Sequence, residues 1–150
     1  MIATVIARLE FLCNTVPALL QQIDENEFST RPFPDKWSKK EIIGHLIDSA
    51  TNNHHRIVRG QFENRPKITY DNYVWNRGNH YQSIPGAKII YFWTAYNRHL
   101  LEIIKRIPDE KMTNQVETGE KGKKNFMTIS LVIEDYLEHM EYHLRQVVNF

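Results

Sequence analysis

The residues best suited to chemistry in this 150-residue chain are two histidines near its C-terminal end. His139 and His143 stand four residues apart, and on an α-helix this spacing stacks two side chains on one face, one turn above the other. Two imidazoles placed in this way can hold one divalent metal ion, and metal binding favours their neutral form. Two ligands do not make a tight site, so we expect a third from another part of the chain.

His45 is the candidate for the third ligand, because it lies at the edge of the apolar face of an earlier amphipathic segment. Ser49 and Asn52 continue the same polar strip, which borders the core and predicts support for His45 together with access to solvent. Facing helices of a bundle commonly build metal sites in this way. Three neutral nitrogens around Zn²⁺ or Ni²⁺ leave at least one position for water or substrate, as in catalytic sites.

Side chains around such a site must orient the imidazoles by accepting hydrogen bonds. Four candidates lie within helical reach: Asp48, Asn52, Asp135 and Gln146. Packing or surface roles are expected for the remaining histidines: His54, His55, His80 and His99. The residue after His139 is Met140, so the glutamate of the HExxH protease motif is absent from the sequence, and no catalytic side chain is assigned.

Apolar residues recur at helical spacing in four segments, at about 2–23, 38–58, 85–107 and 129–148. Pro17 lies inside the first segment and predicts a kink or a break. Ser38 with Glu41 has capping-box spacing, and Ser83 and Thr128 can cap the third and fourth helices. These patterns predict an all-α protein, a four-helix bundle with long connections between helices and no convincing strand.

The connections carry further expectations. Residues 26–37 are predicted to form a loop, whose Trp37 anchors it on the bundle. Residues 64–84 are predicted to hold one short helix. The aromatic residues of this segment are Tyr70, Tyr73, Trp75 and Tyr81. They either roof a pocket or form a satellite cluster that covers the bundle, and the satellite cluster is the favoured prediction. Residues 109–127 are predicted to be a charged surface loop or a small hairpin.

Composition narrows the class of protein. The length suits a single domain over residues 1–150, and the net charge of +1 gives no general reason to expect nucleic-acid binding. No apolar run approaches the ~20 residues needed to cross a bilayer, and the N-terminus lacks the basic start of a signal peptide. The single cysteine, Cys13, shares an apolar stripe and is expected in the core. A cytoplasmic protein without membrane or nucleic-acid partners is therefore expected.

Two motifs together resemble the DinB-like superfamily, which includes metal-dependent hydrolases and bacillithiol transferases. The first runs from Pro34 to Asp48 as P-D-K-W-S-x-x-E-I-x-x-H-L-x-D, and the second from Tyr136 to Gln146 as Y-x-x-H-x-x-x-H-x-x-Q. The resemblance extends from about residue 31 to the end, although residues 60–84 and 109–127 match nothing quotable. It implies a four-helix bundle with a three-histidine metal site at His45, His139 and His143, and a homodimer.

The resemblance is compatible with three hypotheses about the function of the protein. The first is a metal-dependent enzyme that acts on a small molecule, either transferring a low-molecular-weight thiol to an electrophile or hydrolysing an ester or amide. The second is a metal-binding stress or interaction protein without turnover. The third, the least favoured, is a helical bundle whose histidines are structural.

Overall fold

The computed structural model describes residues 2–150, except for the side chain of Lys123. Its helices are α1 (Ile2–Gln21), α2 (Glu25–Ser29), α3 (Lys39–Gly60), α4 (Asn72–Gly78), α5 (Gly86–Ile104) and α6 (Ile129–Leu144). Two short strands, β1 (Gln115–Glu117) and β2 (Phe126–Thr128), precede α6. Within residues 2–150 the four long helices are α1, α3, α5 and α6, and they form the predicted four-helix bundle, so the all-α fold class is confirmed.

α3 is the central helix of the bundle. It packs against α5 and α6, while α1 packs on the other side of the same two helices. Trp93 of α5 and Tyr136 of α6 are among the largest fully buried side chains, and the Tyr136 hydroxyl donates a hydrogen bond to Asn97 of α5. The two helices that carry the three histidines, α3 and α6, are therefore held against each other by the same core.

Side-chain caps fix where α3 and α6 begin. The Ser38 hydroxyl accepts from the Glu41 amide at 3.1 Å and the Glu41 carboxylate accepts from the Ser38 amide at 2.9 Å, which is the predicted capping box. Thr128 accepts from the Leu131 amide at 3.2 Å, as predicted. The prediction for Ser83 is wrong, because Ser83 ends a 3₁₀ turn and Pro85 precedes α5 without a side-chain cap.

Two further predictions for the N-terminal third need correction. Residues 26–37 are not wholly a loop, because α2 begins at Glu25, is capped by Asp24 and buries Phe28. Five residues are too few to display a helical period in the sequence, which explains the error. For Pro17 the alternative of a break is wrong, because α1 continues through it to Gln21, and the alternative of a kink stays a prediction.

The two long connections are more ordered than their composition indicates. Residues 64–84 contain α4, whose first amides are capped by Asp71, so the prediction of one short helix is confirmed. β1 and β2 pair antiparallel, with buried Val116 opposite Met127, which confirms the hairpin alternative and corrects the expectation of no strand. Lys67 pairs with Glu117 in a parallel bridge, so the two connections meet.

α1 departs from one expectation drawn from composition. With a mean hydropathy of 1.4 over an 18-residue window, it is long and apolar enough to cross a membrane by length and composition alone, contrary to the sequence prediction. A helix of a packed core passes the same test. Here its apolar stripe lies in the bundle core: Val5, Leu9, Leu12, Val16 and Leu20.

Gly44 gives a test of this packing, because it lies directly under the Tyr81 ring. A Cβ atom at Gly44 would fall 2.2 Å from Cδ2 of Tyr81. We expect Gly44→Ala to displace the ring and to lower the free energy of unfolding by about 1–3 kcal/mol, as overpacked cores do. Urea unfolding followed by circular dichroism measures the change.

Gly78→Ala is the matched control, since a Cβ atom there meets nothing within 4 Å. Alanine is a better helix former than glycine, so this variant should be neutral or more stable by up to about 1 kcal/mol. Equal effects of the two substitutions would contradict the proposed close packing of Tyr81 on α3.

Candidate metal centre

The structure brings together the three histidines that the sequence singles out. Nε2 of His45 lies 2.9 Å from Nε2 of His139, and one nitrogen of each of the three rings lies within 4.8 Å of the others. The ring centroids of His45, His139 and His143 are 4.6–4.8 Å apart and the rings meet edge to face. α3 contributes the first histidine and α6 contributes the pair at i, i+4.

The donor set fits a divalent metal ion. Two imidazole nitrogens that each lie about 2.0–2.1 Å from one zinc ion can be at most about 4 Å apart. The closest pair, at 2.9 Å, satisfies this limit, whereas the set as a whole spans up to 4.8 Å and must draw together slightly around an ion. Among the described residues, Nδ1 of His45 and Nδ1 of His143 are buried without a hydrogen-bond partner. Such atoms are rare in folded proteins. Because His45 faces His139 through Nε2, an ion bound between these rings would not satisfy Nδ1 of His45, which needs an ordered water instead.

Electrostatics keep these histidines neutral. Burial, and then the proximity of His139 and His143, lower the pKa of His45 to about 3. Burial and the neighbouring His143 lower the pKa of His139 to about 4. Burial also lowers the pKa of His143, which the side chain of Gln146 partly opposes. A neutral imidazole offers a lone pair to a metal, so protons compete weakly with a cation at neutral pH.

His45 is deeper than the sequence indicates. Only 1% of its surface is exposed, so the expected access to solvent along α3 is wrong for this residue. His139 and His143 are partly exposed. Any solvent or ligand therefore reaches the cluster from the side of α6.

Aromatic side chains close the other sides of the cluster. The Trp37 ring lies 4.9 Å from the His45 ring and 5.4 Å from the Tyr73 ring, and Tyr142 lies edge-on to His143 at 5.0 Å. Trp37 is partly buried, so it contributes a wall of the site in addition to the predicted anchoring of its loop. Tyr73 also lines the site, which favours the pocket alternative for the aromatic residues of 64–84.

The predicted orienting side chains are only partly in place. Asp48 accepts from the Tyr81 hydroxyl at 2.6 Å and from Asn79 at 2.8 Å, and Asn52 donates to the Asp48 carbonyl. Polar contacts to the histidines come from Ser49, whose hydroxyl lies 3.4 Å from Nδ1 of His139, and from the predicted Gln146, which hydrogen-bonds to His143. The tautomer of His139 with its proton on Nδ1 donates to Ser49 and leaves Nε2 free for a metal.

Asp135, the remaining predicted acceptor, forms an ion pair with Lys124 and lines a cleft beside the cluster. We define the histidine cleft as this depression of about 660 Å³, lined by His139, by three polar residues of α3 and by four tyrosines. The polar residues are Ser49, Asn53 and Arg56. The tyrosines are Tyr70, Tyr73, Tyr136 and Tyr142. Its volume suits a small molecule.

A polar row along α3 runs from His45 through Ser49 and Asn53 to Arg56. Asn53 donates to the Ser49 hydroxyl at 3.2 Å, and Arg56 donates to the Asn53 side chain at 3.3 Å. The polar strip predicted from the sequence contains Asn52 in place of Asn53 and lacks Arg56. Positions i+4, i+8 and i+11 from His45 fall along one face of a helix, and Ser49, Asn53 and Arg56 occupy them.

The other histidines form no comparable cluster within residues 2–150. Nδ1 of His54 lies at hydrogen-bond distance, 3.0 Å, from the Tyr96 hydroxyl. The centroid of the His54 ring lies 5.7 Å from that of the His99 ring. This pair lies between α3 and α5, and packing explains it, as predicted.

Asp48 provides a test of the electrostatics beside the site. It is 1% exposed, and burial raises the pKa of this carboxyl to about 6, against the opposing hydrogen bonds from Tyr81 and Asn79. The folded protein thus holds a proton that the unfolded chain releases near the ordinary pKa of an aspartate, 3.8. The contribution of Asp48 to stability is fully present below that value and is lost as the pH rises towards about 6.

Asp48→Asn removes this titration while keeping the acceptor for Tyr81. The free energy of unfolding of the variant, minus that of the wild type, should therefore increase from about pH 4 to about pH 7. Urea titrations of both metal-free proteins across this range measure the difference. A difference that does not vary with pH would contradict a raised pKa for Asp48.

Comparison with known proteins supports the fold and the family. YfiT from Bacillus subtilis, described as a probable metal-dependent hydrolase with an unusual four-helix bundle topology, superimposes with a TM-score of 0.82 at 18% identity, over 97% of this chain and 83% of YfiT. The DinB-like protein YjoA from Bacillus subtilis superimposes with a TM-score of 0.64 at 13% identity, over 96% of this chain and 86% of YjoA. At these identities the likeness concerns the fold.

No curated protein sequence matches the chain. The sequence pattern of the DinB superfamily, however, matches residues 8–147, a range that contains all three histidines and every long helix except the first turns of α1. The chain belongs to the DinB superfamily.

Proposed function

We propose that the protein is a metal-dependent enzyme that binds Zn²⁺ or Ni²⁺ through His45, His139 and His143 and acts on a small molecule in the histidine cleft. The observation that carries the proposal is the convergence of three neutral imidazoles, with one nitrogen of each ring within 4.8 Å of the others. The description of YfiT as a probable metal-dependent hydrolase supports it.

The chain supplies binding, exclusion of water and access. His45, His139 and His143 offer three nitrogen ligands, which leaves room for a further ligand that enters from the cleft. The half-buried Trp37 ring packs against the His45 ring and shields it from water, whereas the exposed Tyr142 ring lies edge-on to His143. A bound ion would lower the pKa of a water or thiol that reaches it and so supply a nucleophile at neutral pH.

Two reactions are compatible with this arrangement. One is hydrolysis of an ester or amide, and the other is transfer of a low-molecular-weight thiol to an electrophile. Both need a nucleophile formed at the three histidines, and both need a cleft that admits a small substrate beside His139.

Metal analysis tests the proposal. Purified, untagged protein should contain, or take up on dialysis, about one equivalent of zinc or nickel, because three nitrogens make a complete set of protein ligands. His45→Ala, His139→Ala and His143→Ala should each lose the metal while keeping the helical circular dichroism spectrum. Turnover of ester and thiol-transfer substrates is then measured on the loaded protein.

His99→Ala is the matched control, since His99 is an exposed histidine outside the cluster. Its metal content should equal that of the wild type. Full metal occupancy in any of the three cluster variants would remove that residue from the ligand set. Failure of the wild type to bind either ion would overturn the proposed function.

A further inference from the structure

Arg56 is a buried cation in the wall of the histidine cleft. It is 6% exposed, and among the described residues its guanidinium donates only to neutral acceptors: the Asn53 side chain and the carbonyls of Ile68 and Thr118, at 3.1–3.3 Å. Buried charges are normally paired with an opposite charge, since leaving water is costly for an ion. Burial lowers the pKa of Arg56, which is the sign of that cost.

The donors of Arg56 are not all used. A guanidinium has five N–H groups, and four bonds are made to the three acceptors. Nη1 makes one of these bonds, to Asn53, which leaves a second N–H on the same nitrogen. A single free donor with a full positive charge matches one carboxylate oxygen of a ligand.

Acidic residues of the cleft do not neutralise this charge by contact. Asp135 pairs with Lys124, and Asp71 accepts from the first amides of α4. Glu120 and Glu138 are exposed, where water and salt screen them. Burial lowers the pKa of Arg56, and Tyr70, Glu120 and Asp135 oppose this effect at a distance. No carboxylate of the described residues hydrogen-bonds to the guanidinium, so its free N–H remains available to a ligand.

The polar row joins Arg56 to the three histidines. Hydrogen bonds lead from His139 to Ser49, from Ser49 to Asn53 and from Asn53 to Arg56, and His139, Ser49, Asn53 and Arg56 all line the cleft. Arg56 follows His45 by eleven residues, or about 16 Å along the helix axis. Because its side chain reaches back to Asn53, the guanidinium lies closer, on the order of 10 Å from the cluster.

We propose that Arg56 is the anchor for a carboxylate of the substrate. The substrate is then an elongated small molecule whose carboxylate binds Arg56 while its reactive group lies at the histidines, on the order of 10 Å away. The four tyrosines of the cleft contact the stem between these ends. The position of the reactive group in this inference rests on the proposed function. The carboxylate site itself depends on Arg56 and not on the metal.

Matched thiols test the anchor in the zinc-loaded protein. The probes are 8-mercaptooctanoate and its neutral isostere 8-mercaptooctanamide, whose chain is of comparable length to the distance between the two sites. Isothermal titration should show tighter binding of the carboxylate, by about tenfold or more, because hydrogen bonds to a charged partner are the stronger ones. Arg56→Gln should abolish this preference, and Arg56→Lys should retain part of it.

Controls separate an anchor from a purely structural arginine. Arg59→Gln removes an exposed arginine of the same helix that is paired with Glu63, and it should leave the preference unchanged. Equal binding of the two probes to the wild type, or an equal weakening of both by Arg56→Gln, would overturn the anchor. If Arg56→Gln does not fold, the comparison in the wild type and in Arg56→Lys decides the question.

The same comparison without a thiol distinguishes failure of the anchor from failure of the metal site. Octanoate and octanamide are titrated into metal-free protein and followed by saturation-transfer NMR. A preference for octanoate in a protein that takes up no zinc would retain the anchor and reject the proposed function. Zinc uptake without a carboxylate preference in either series would retain the proposed function and reject the anchor.

Discussion

The structure depends on burying three uncharged imidazoles side by side between two helices. A protonated histidine in this place would face both the loss of water and two neighbouring rings, and the lowered pKa values of His45 and His139 follow from that. The packing of the three rings also constrains how the helices that carry them meet. α3 and α6 must meet in one register for His45 to reach His139, and the capped starts of both helices and the core around Tyr136 fix that register.

α3, the central helix of the bundle, buries polar side chains among apolar ones. Every residue from Ile43 to Ala50 is buried, although this stretch includes His45, Asp48 and Ser49. Polar groups in such a place need local partners. Two asparagines later in α3 find them one turn back, since Asn52 donates to the Asp48 carbonyl and Asn53 to the Ser49 carbonyl. The helix thus carries polar side chains through a core without leaving most of them unpaired.

Much of the fold and of the site was predictable because the signals are local. Spacing of four residues places His139 and His143 on one face, and the capping residues Ser38 and Thr128 mark the helix starts. What the sequence could not supply depends on tertiary contacts. α2 is stabilised by the burial of Phe28, the hairpin by the burial of Val116, and the depth of His45 by α6 packing over it. The role of Arg56 in the cleft wall depends on two segments, at residues 68 and 118, that approach it from elsewhere in the chain.

The connection between α3 and α5 is pinned to α3 at several points. Asn76 donates to the Glu41 carbonyl at 2.9 Å, Asn79 and Tyr81 both donate to Asp48, and the Tyr81 ring rests on Gly44. α4 is consequently held against α3 as part of the scaffold of the site. A ligand entering the histidine cleft meets a wall already in place, so little ordering entropy is lost on binding. Selectivity then comes from the shape of a preformed cavity, and a change of ligand preference requires substitution of wall residues more than a longer or looser loop.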